Sequence, residues 1–569
     1  MQASGGRLAV QRVAHQWRCA IASVFIAATA SALYAKVWRF GFIYDDYWTV
    51  VGNVHLGKPL RELLAGAVSG RSIEWNMPDA TRPLMGVSLW LDRRVFGLAP
   101  GGYHLHSVAL YALACVLAFW LALACLRRFV PALAAGLAFT VAPIHVEAVA
   151  AINYREDLLA AIGVLGAAAL AFWPTRSERR GHAYACAALW ALALLSKESA
   201  LAAPAFLAAL MLIRRPGALA ARVRPPLVLV AAAVAALWLN WRYGLSRLGE
   251  QIPTASYASW GERLARTARF ELISLYKSLL PLGPRPERDK LGEAHWAWCV
   301  GLLLAVAVIV LCARRRRTRV LAAAGAVALV APLCSSPLFA PINELADRYW
   351  FLGSFGAALL LGWILQRFAQ REVRLAAALL LAGLGVASLQ ASSTWASEVD
   401  LWTSAVQSAP ASARAWGALS RVHRIAGQPD LAERSIERAL ALRPGYVSAQ
   451  AARVLNLLWF GELQAAREQL AAIGAEASMQ GEALSSARRC AQAPDAGAAM
   501  ACARRTVPVG LVLGDVERLR ALSERLLSVP PAGVPAAPLP VAVEAARVNA
   551  GADAGVALPR GVSAPARAQ

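Results

Sequence analysis

The chain has 569 residues, 58% of them hydrophobic, and a formal net charge of +23. Its mean hydropathy of +0.47 and its many long apolar runs exclude one soluble core, since crossing a bilayer takes about 20 apolar residues at a rise of about 1.5 Å each. The positive charge lies between the apolar runs, where it reads as a topology signal and argues against a nucleic-acid partner.

Residues 1–16 are short and polar, and the first apolar run, 17–38, reads as an uncleaved anchor. The stretch Gly41-Phe-Ile-Tyr-Asp-Asp-Tyr-Trp48 then sets Asp45 and Asp46 at a membrane–water boundary. Trp38, Phe40, Phe42, Tyr44, Tyr47 and Trp48 surround them, and aromatic rings favour that depth. Acids placed there are expected to have a task or a partner; the bland alternative is that they cap a short interfacial helix.

The polar section 39–103 is a large first loop holding two amphipathic pieces, Pro59–Val68 and Pro83–Phe96. Apolar runs follow at 104–126, 129–148, 155–173, 182–196, 198–213, 226–243, 294–313, 319–339, 349–366 and 374–391. Segment 264–281 holds Glu271 and Lys277 and ends at Pro281, which leaves it open between an interfacial and a crossing helix. If it does not cross, there are eleven spans with a cytoplasmic N-terminus, and the arginine-rich connections (Arg127–Arg128, Arg214–Arg215, Arg314–Arg317) all face the cytoplasm.

After Gln390 the composition becomes that of a soluble helical region. Pro410 and Pro444 bound one 34-residue period, the length of a tetratricopeptide repeat, with Trp416, Leu419, Gly427, Ala432, Ile436 and Ala439 where that repeat needs large and small residues. Trp402, Ala405 and Pro410 read as a preceding half-repeat, and Gly461, Ala466 and Leu470 as a weaker following one. The fold class expected is an all-α polytopic membrane protein with a tetratricopeptide-like helical domain. Its parts are a membrane domain at 1–392, extracytoplasmic helices at 393–529 and a disordered Pro/Ala-rich tail at 530–569. The nine cysteines show no CxxC pair, and Cys490 and Cys502 are candidates to pair in an oxidising compartment.

Ionisable residues at the span ends converge on the non-cytoplasmic side: His145, Glu147, Arg155, Glu156 and Asp157, then Lys197 and Glu198, then Glu344, Asp347 and Arg348. Together with Asp45 and Asp46 they read as the rim of a polar cavity. Such a mix suits a reaction in which a phosphate leaves and a hydroxyl loses its proton. Arg82 has two readings, a partner for Asp79 or a substrate contact. His104 and His106, two apart on a helix, point away from each other and read as interfacial polar residues instead of a metal pair.

The Asp45–Asp46 stretch, Thr81-Arg82-Pro83-Leu84, Gly102-Tyr103-His104-Leu105, Pro143-Ile-His145-Val-Glu147, Leu195-Ser196-Lys197-Glu198 and Ala346-Asp347-Arg348-Tyr349 occur in an order that resembles one family. It is the transmembrane and tetratricopeptide-repeat-containing O-mannosyltransferases of the GT-C membrane glycosyltransferase superfamily. The resemblance runs from about 41 to 445; Asn153-Tyr154-Arg155-Glu156-Asp157 departs from the Gly-Arg-Ala-acid run of eukaryotic relatives, and the repeats are fewer.

The resemblance implies inverting transfer of a sugar from a polyprenyl-phosphate donor to an extracytoplasmic protein or glycan acceptor. Asp45 would be the general base, and Asp46 would orient the acceptor or hold a nearby helix. Arg155, Lys197, Arg348 and His145 are the candidates to neutralise the lipid phosphate, with Arg82 and Glu147 as further substrate-binding candidates. No cofactor and no metal are implied, and the Ala/Arg-rich composition suggests a bacterial inner membrane with periplasmic repeats. The rival function is a catalytically inactive membrane-anchored scaffold for an envelope complex; an oligosaccharide ligase or a transporter of similar topology stays open as a third.

Overall fold

A computed structural model describes residues 2–69, 81–172, 180–213, 259–281, 285–286, 295–339, 345–473, 482–505 and four positions between 520 and 527. Among these residues every regular element is helical, and residues 1–528 form one compact unit. The run at 226–243 and the tail at 530–569 lie outside the described residues.

Helix α1 spans Gln2–Leu33 and leads through a short 3-10 turn, Ala35–Arg39, into the aspartate stretch. The two amphipathic pieces of the first loop are α2, Leu60–Ser69, and α3, Pro83–Phe96. Then come α4, Pro100–Leu126, α5, Phe129–Thr140, and the short α6, Val146–Ala150. Proline opens α3 and α4 at the first turn, where its missing N–H costs nothing. Between α5 and α6, Pro143 forces Ala142 into an extended conformation, and the chain bends by 47° there. That bend turns an apolar run into two pieces.

Next are α7, Arg155–Phe172, α8, Arg180–Leu194, α9, Ala203–Met211, and α10, Trp260–Leu279. The later apolar helices are α11, Ala297–Arg314, α12, Arg319–Val330, α13, Phe355–Arg367, and α14, Arg371–Ser392. Among the described residues five segments are long and apolar enough to cross a membrane, and the bent pair α5–α6 is a sixth if it is one span. Helix α10 is not one of them: it buries only one face, through Ala265, Ala268, Phe270 and Ser274, and starts at a Ser259 side-chain cap.

Helix α4 is the hub, packing against α1, α5 and α7, while α5 also packs on α13. Small residues permit this closeness. A Cβ on Gly163 of α7 would stand 2.5 Å from the Leu189 carbonyl oxygen of α8, so only glycine fits that crossing.

Beyond α14 the chain runs through α15, Glu398–Ser408, into antiparallel hairpins: α16, Ala413–Ile425, with α17, Pro429–Leu442, and α18, Val447–Trp459, with α19, Leu463–Ala472. Gly427 (φ +72) and Gly461 (φ +89) make the two turns in the left-handed region. Trp416, Leu419, Ala432, Ile436 and Ala439 are all buried. Helices α20, Glu482–Ala491, and α21, Ala496–Arg504, are joined by a disulfide between Cys490 and Cys502.

Candidate active site

The aspartate stretch is held from both sides. Tyr44 has φ +49, a left-handed conformation that costs a bulky residue free energy and persists only when its surroundings dictate it. Its N–H donates to Glu398 Oε1 at 2.8 Å, its ring meets Trp402 edge-on at 5.3 Å, and its hydroxyl accepts from the Arg414 guanidinium. All three partners come from α15 and α16, some 350 residues later in the chain.

The two carboxylates have different surroundings. Asp46 is fully buried; Oδ1 accepts from the Asn153 N–H at 2.7 Å and Oδ2 from the Ile43 N–H at 3.3 Å. Burial pushes its carboxyl up to about 7, against the pull of those backbone bonds. Asp45 is partly exposed and accepts from the Tyr154 hydroxyl at 3.3 Å. Burial also raises Asp45 above its ordinary value, opposed first by Arg414 and then by Arg348. Asp46 stands at the start of the following helical turn yet makes no capping bond with its side chain, so helix capping does not explain it.

A small cleft opens next to Tyr44 and Tyr154, the chain neighbour and the hydrogen-bond partner of Asp45; Trp395, Trp402, Arg348 and Arg414 also contribute to its walls. Arg348 lies with its guanidinium 4.0 Å above the Tyr154 ring and forms an ion pair with Glu147, whose Oε2 also accepts the Arg348 N–H at 3.0 Å. Deeper in, Lys197 Nζ reaches Asp157 at 2.6 Å and Glu156 at 3.4 Å. Burial alone would lower the Lys197 ammonium, but Asp157 and Glu156 hold it above its ordinary value. Arg82 pairs with Glu156 at 2.7 Å and Glu198 at 2.9 Å. Its other expected partner, Asp79, is outside the described residues, as is Glu344.

Two candidates for phosphate contact are elsewhere. Arg155 is fully buried and spends its donors on Asp92 (2.5 Å), Ser88 (3.0 Å), Ser107 (3.1 Å) and the Tyr103 carbonyl (2.7 Å). His145 is stacked on Phe351 at 4.1 Å and bonded to Tyr111 (3.0 Å) and Ser354 (2.8 Å), inside the helix core. Both are packing residues in this structure. His104 differs from its interfacial reading as well: it is fully buried, with Nε2 3.3 Å from the Gly41 carbonyl, while His106 meets Asp92 at 2.6 Å.

Sequence reading missed Tyr154, Asp92, Glu398, Trp402 as a wall of the cleft, and Arg414. Nothing local marks them. Glu398 and Asp400 follow Ser397 as ordinary helix-start acids, and Arg414 sits in a helix with many arginines.

The order of these pieces has counterparts. A stretch of 181 residues is 34% identical to Protein O-mannosyl-transferase Tmtc1 of Drosophila melanogaster, covering 31% of this chain and 21% of the fly protein. Tmtc2 of the same organism is 31% identical over 162 residues, 28% of this chain and 17% of that protein. A Protein O-mannosyl-transferase of Caenorhabditis elegans is 24% identical over 422 residues, covering 71% of this chain and 60% of the worm protein. The chain's curated homologues are TMTC-family protein O-mannosyltransferases. The match spans about one fifth of the fly TMTC proteins' length. No family model and no solved structure matches the chain.

Proposed function

We propose that the protein is a GT-C-type membrane glycosyltransferase that moves a sugar, mannose in the relatives' names, from a polyprenyl-phosphate donor to a hydroxyl of an extracytoplasmic protein. The observation that carries this reading is Asp45: a carboxylate beside an aromatic cleft, bonded to Tyr154 and close to two guanidinium groups.

In the proposed step the acceptor hydroxyl gives its proton to Asp45, and its oxygen forms a bond to the anomeric carbon. The bond from that carbon to the phosphate oxygen breaks, and its electron pair leaves with the lipid phosphate. One displacement inverts the anomeric centre, and a stable phosphate anion needs no strong acid to depart. In this reading Arg348, which lines the cleft, meets that anion by exchanging part of its pairing with Glu147 for charge-assisted bonds to phosphate. Lys197 and Arg82, already paired with Glu156, Asp157 and Glu198, steady this side of the site.

The architecture that goes with this reading is eleven spans over 1–392, tetratricopeptide-like hairpins over 393–529 and a tail beyond, in a bacterial inner membrane. The Cys490–Cys502 disulfide supports periplasmic hairpins, since such bonds persist in oxidising compartments.

Asp45→Asn tests the base. The change keeps size and polarity but removes the proton acceptor, so sugar transfer in purified protein should fall by about 10²–10⁴-fold with thermal stability nearly kept. Near-normal transfer by the well-folded variant removes Asp45 from the role, and an unchanged glycan profile in a deletion strain leaves the scaffold reading.

A further inference from the structure

We propose that Arg414, from the first helical hairpin beyond the membrane part, is a positioning residue for transfer, fixing Tyr44 and supplying the counter-charge for Asp45 at the mouth of the cleft. This rests on the reading of Asp45 as the base.

Three observations meet there. Tyr44, next to Asp45, sits in the left-handed region, and its conformation is dictated from α15 and α16: Glu398 takes its N–H, Trp402 its ring and Arg414 its hydroxyl. Glu398 is itself locked, accepting from Trp402 Nε1 at 2.6 Å and Arg421 at 2.8 Å. Arg414 lies with its guanidinium carbon 5.6 Å from the Tyr44 ring centre and 5.9 Å from that of Trp402, lining the same cleft as Arg348.

A half-buried guanidinium packed beside two rings is partly dehydrated, so its field on a neighbouring carboxylate is screened less than at a fully exposed site. The ionisable groups facing Asp45 are Tyr154 from the turn before α7, Glu156 from the start of α7, Arg348 with its partner Glu147, the adjacent Asp46, and Arg414 from α16. Of the cations, Arg414 acts most strongly. Without it Asp45 would protonate more readily, and the base would be lost at a higher pH. Transfer would thereby depend on the soluble helices being seated on the membrane part.

The test is a pH–rate profile of full-length Arg414→Gln with a polyprenyl-phosphate mannose donor and a Ser/Thr-containing peptide. The expected result is a drop of about tenfold in kcat/KM for the peptide and an acidic limb moved upward by at least about 0.5 pH unit. Arg414→Lys should return the limb towards its original place by restoring the charge, while recovering less of the rate because a lysine lacks the planar guanidinium that meets the Tyr44 hydroxyl. If Arg414→Gln does not fold, Tyr44→Phe, which removes the hydroxyl that Arg414 binds, takes its place: an unchanged kcat/KM and an unmoved limb in the folded variant would overturn the inference. Arg453→Gln, which breaks an ion pair with Glu433 in the following hairpins, should leave both readouts unchanged. A lower melting temperature with an unmoved limb would make Arg414 structural and overturn the inference. If Asp45→Asn still abolishes transfer in that case, the reading of the base stands without it.

Discussion

At the scale of single residues, the adjacent acids divide by what holds them. Asp46 binds two backbone N–H groups, and Asp46→Asn leaves one of them facing an amide NH₂. The expected cost is about 1–3 kcal/mol of stability, with a smaller loss of transfer per folded molecule than Asp45→Asn. Thermal melts beside activity assays separate the two. There is also a pH signature. Burial lifts folded Asp46 from the ordinary 3.8 to about 7, so the stability linked to its proton is present below about pH 4 and is lost as pH rises through about 7. Asp46→Asn should flatten the stability profile across that window, and an identical slope in the variant would place the titration elsewhere. Arg155 illustrates the opposite case, a motif residue whose charge is consumed inside. Arg155→Leu should cost about 3–5 kcal/mol, because it leaves the buried Asp92 with only His106 of this pair of partners. A well-folded Arg155→Leu protein whose only defect is donor KM would return Arg155 to phosphate binding.

At the scale of elements, the bend at Pro143 and the hairpin turns do the positioning. The glycine at 427 is needed for its φ of +72, whereas Gly417 lies inside α16 with nothing within 4 Å of an added Cβ. Gly427→Ala is therefore expected to destabilise by about 1–2 kcal/mol, and Gly417→Ala to stabilise by about 0.5–1 kcal/mol. Opposite shifts in melting temperature would bear this out, and equal shifts would mean that the hairpin's unfolded state controls both. These elements were legible in the chain: Pro at 83, apolar periodicity and the Pro410-to-Pro444 interval each have a local cause. Segment 264–281 was ambiguous because Phe270 and Leu272 are as apolar as a span requires while Glu271 between them is not; it forms the amphipathic α10, which is not among the helices long and apolar enough to cross.

At the scale of the whole molecule, the proposed reading requires the aspartates, the cleft and the hairpins to share one side of the membrane. Reporter fusions at 70, 150, 260 and 430 should report the extracytoplasmic side, and fusions at 178, 220 and 316 the cytoplasm, following the arginine-rich connections. A cytoplasmic signal at 430 would contradict the contact between Tyr44 and Arg414 as well as the disulfide, so it would challenge the site and its topology together.

Residue order alone carried the membrane class, the helical character and the family likeness, because hydropathy, proline and glycine positions and short motifs act over a few neighbouring residues. It also grouped Glu147 and Arg348, which form an ion pair at the cleft. It could not say which charged groups face the cleft and which are spent in the core. Arg155 with Asp92 and Arg348 with Glu147 look alike in one dimension, and only three-dimensional packing turns one inward and the other to the cavity. The same holds for Tyr44 and Arg414, 370 residues apart: their meeting depends on how the hairpins seat against the membrane helices, a long-range contact with no local pattern to announce it.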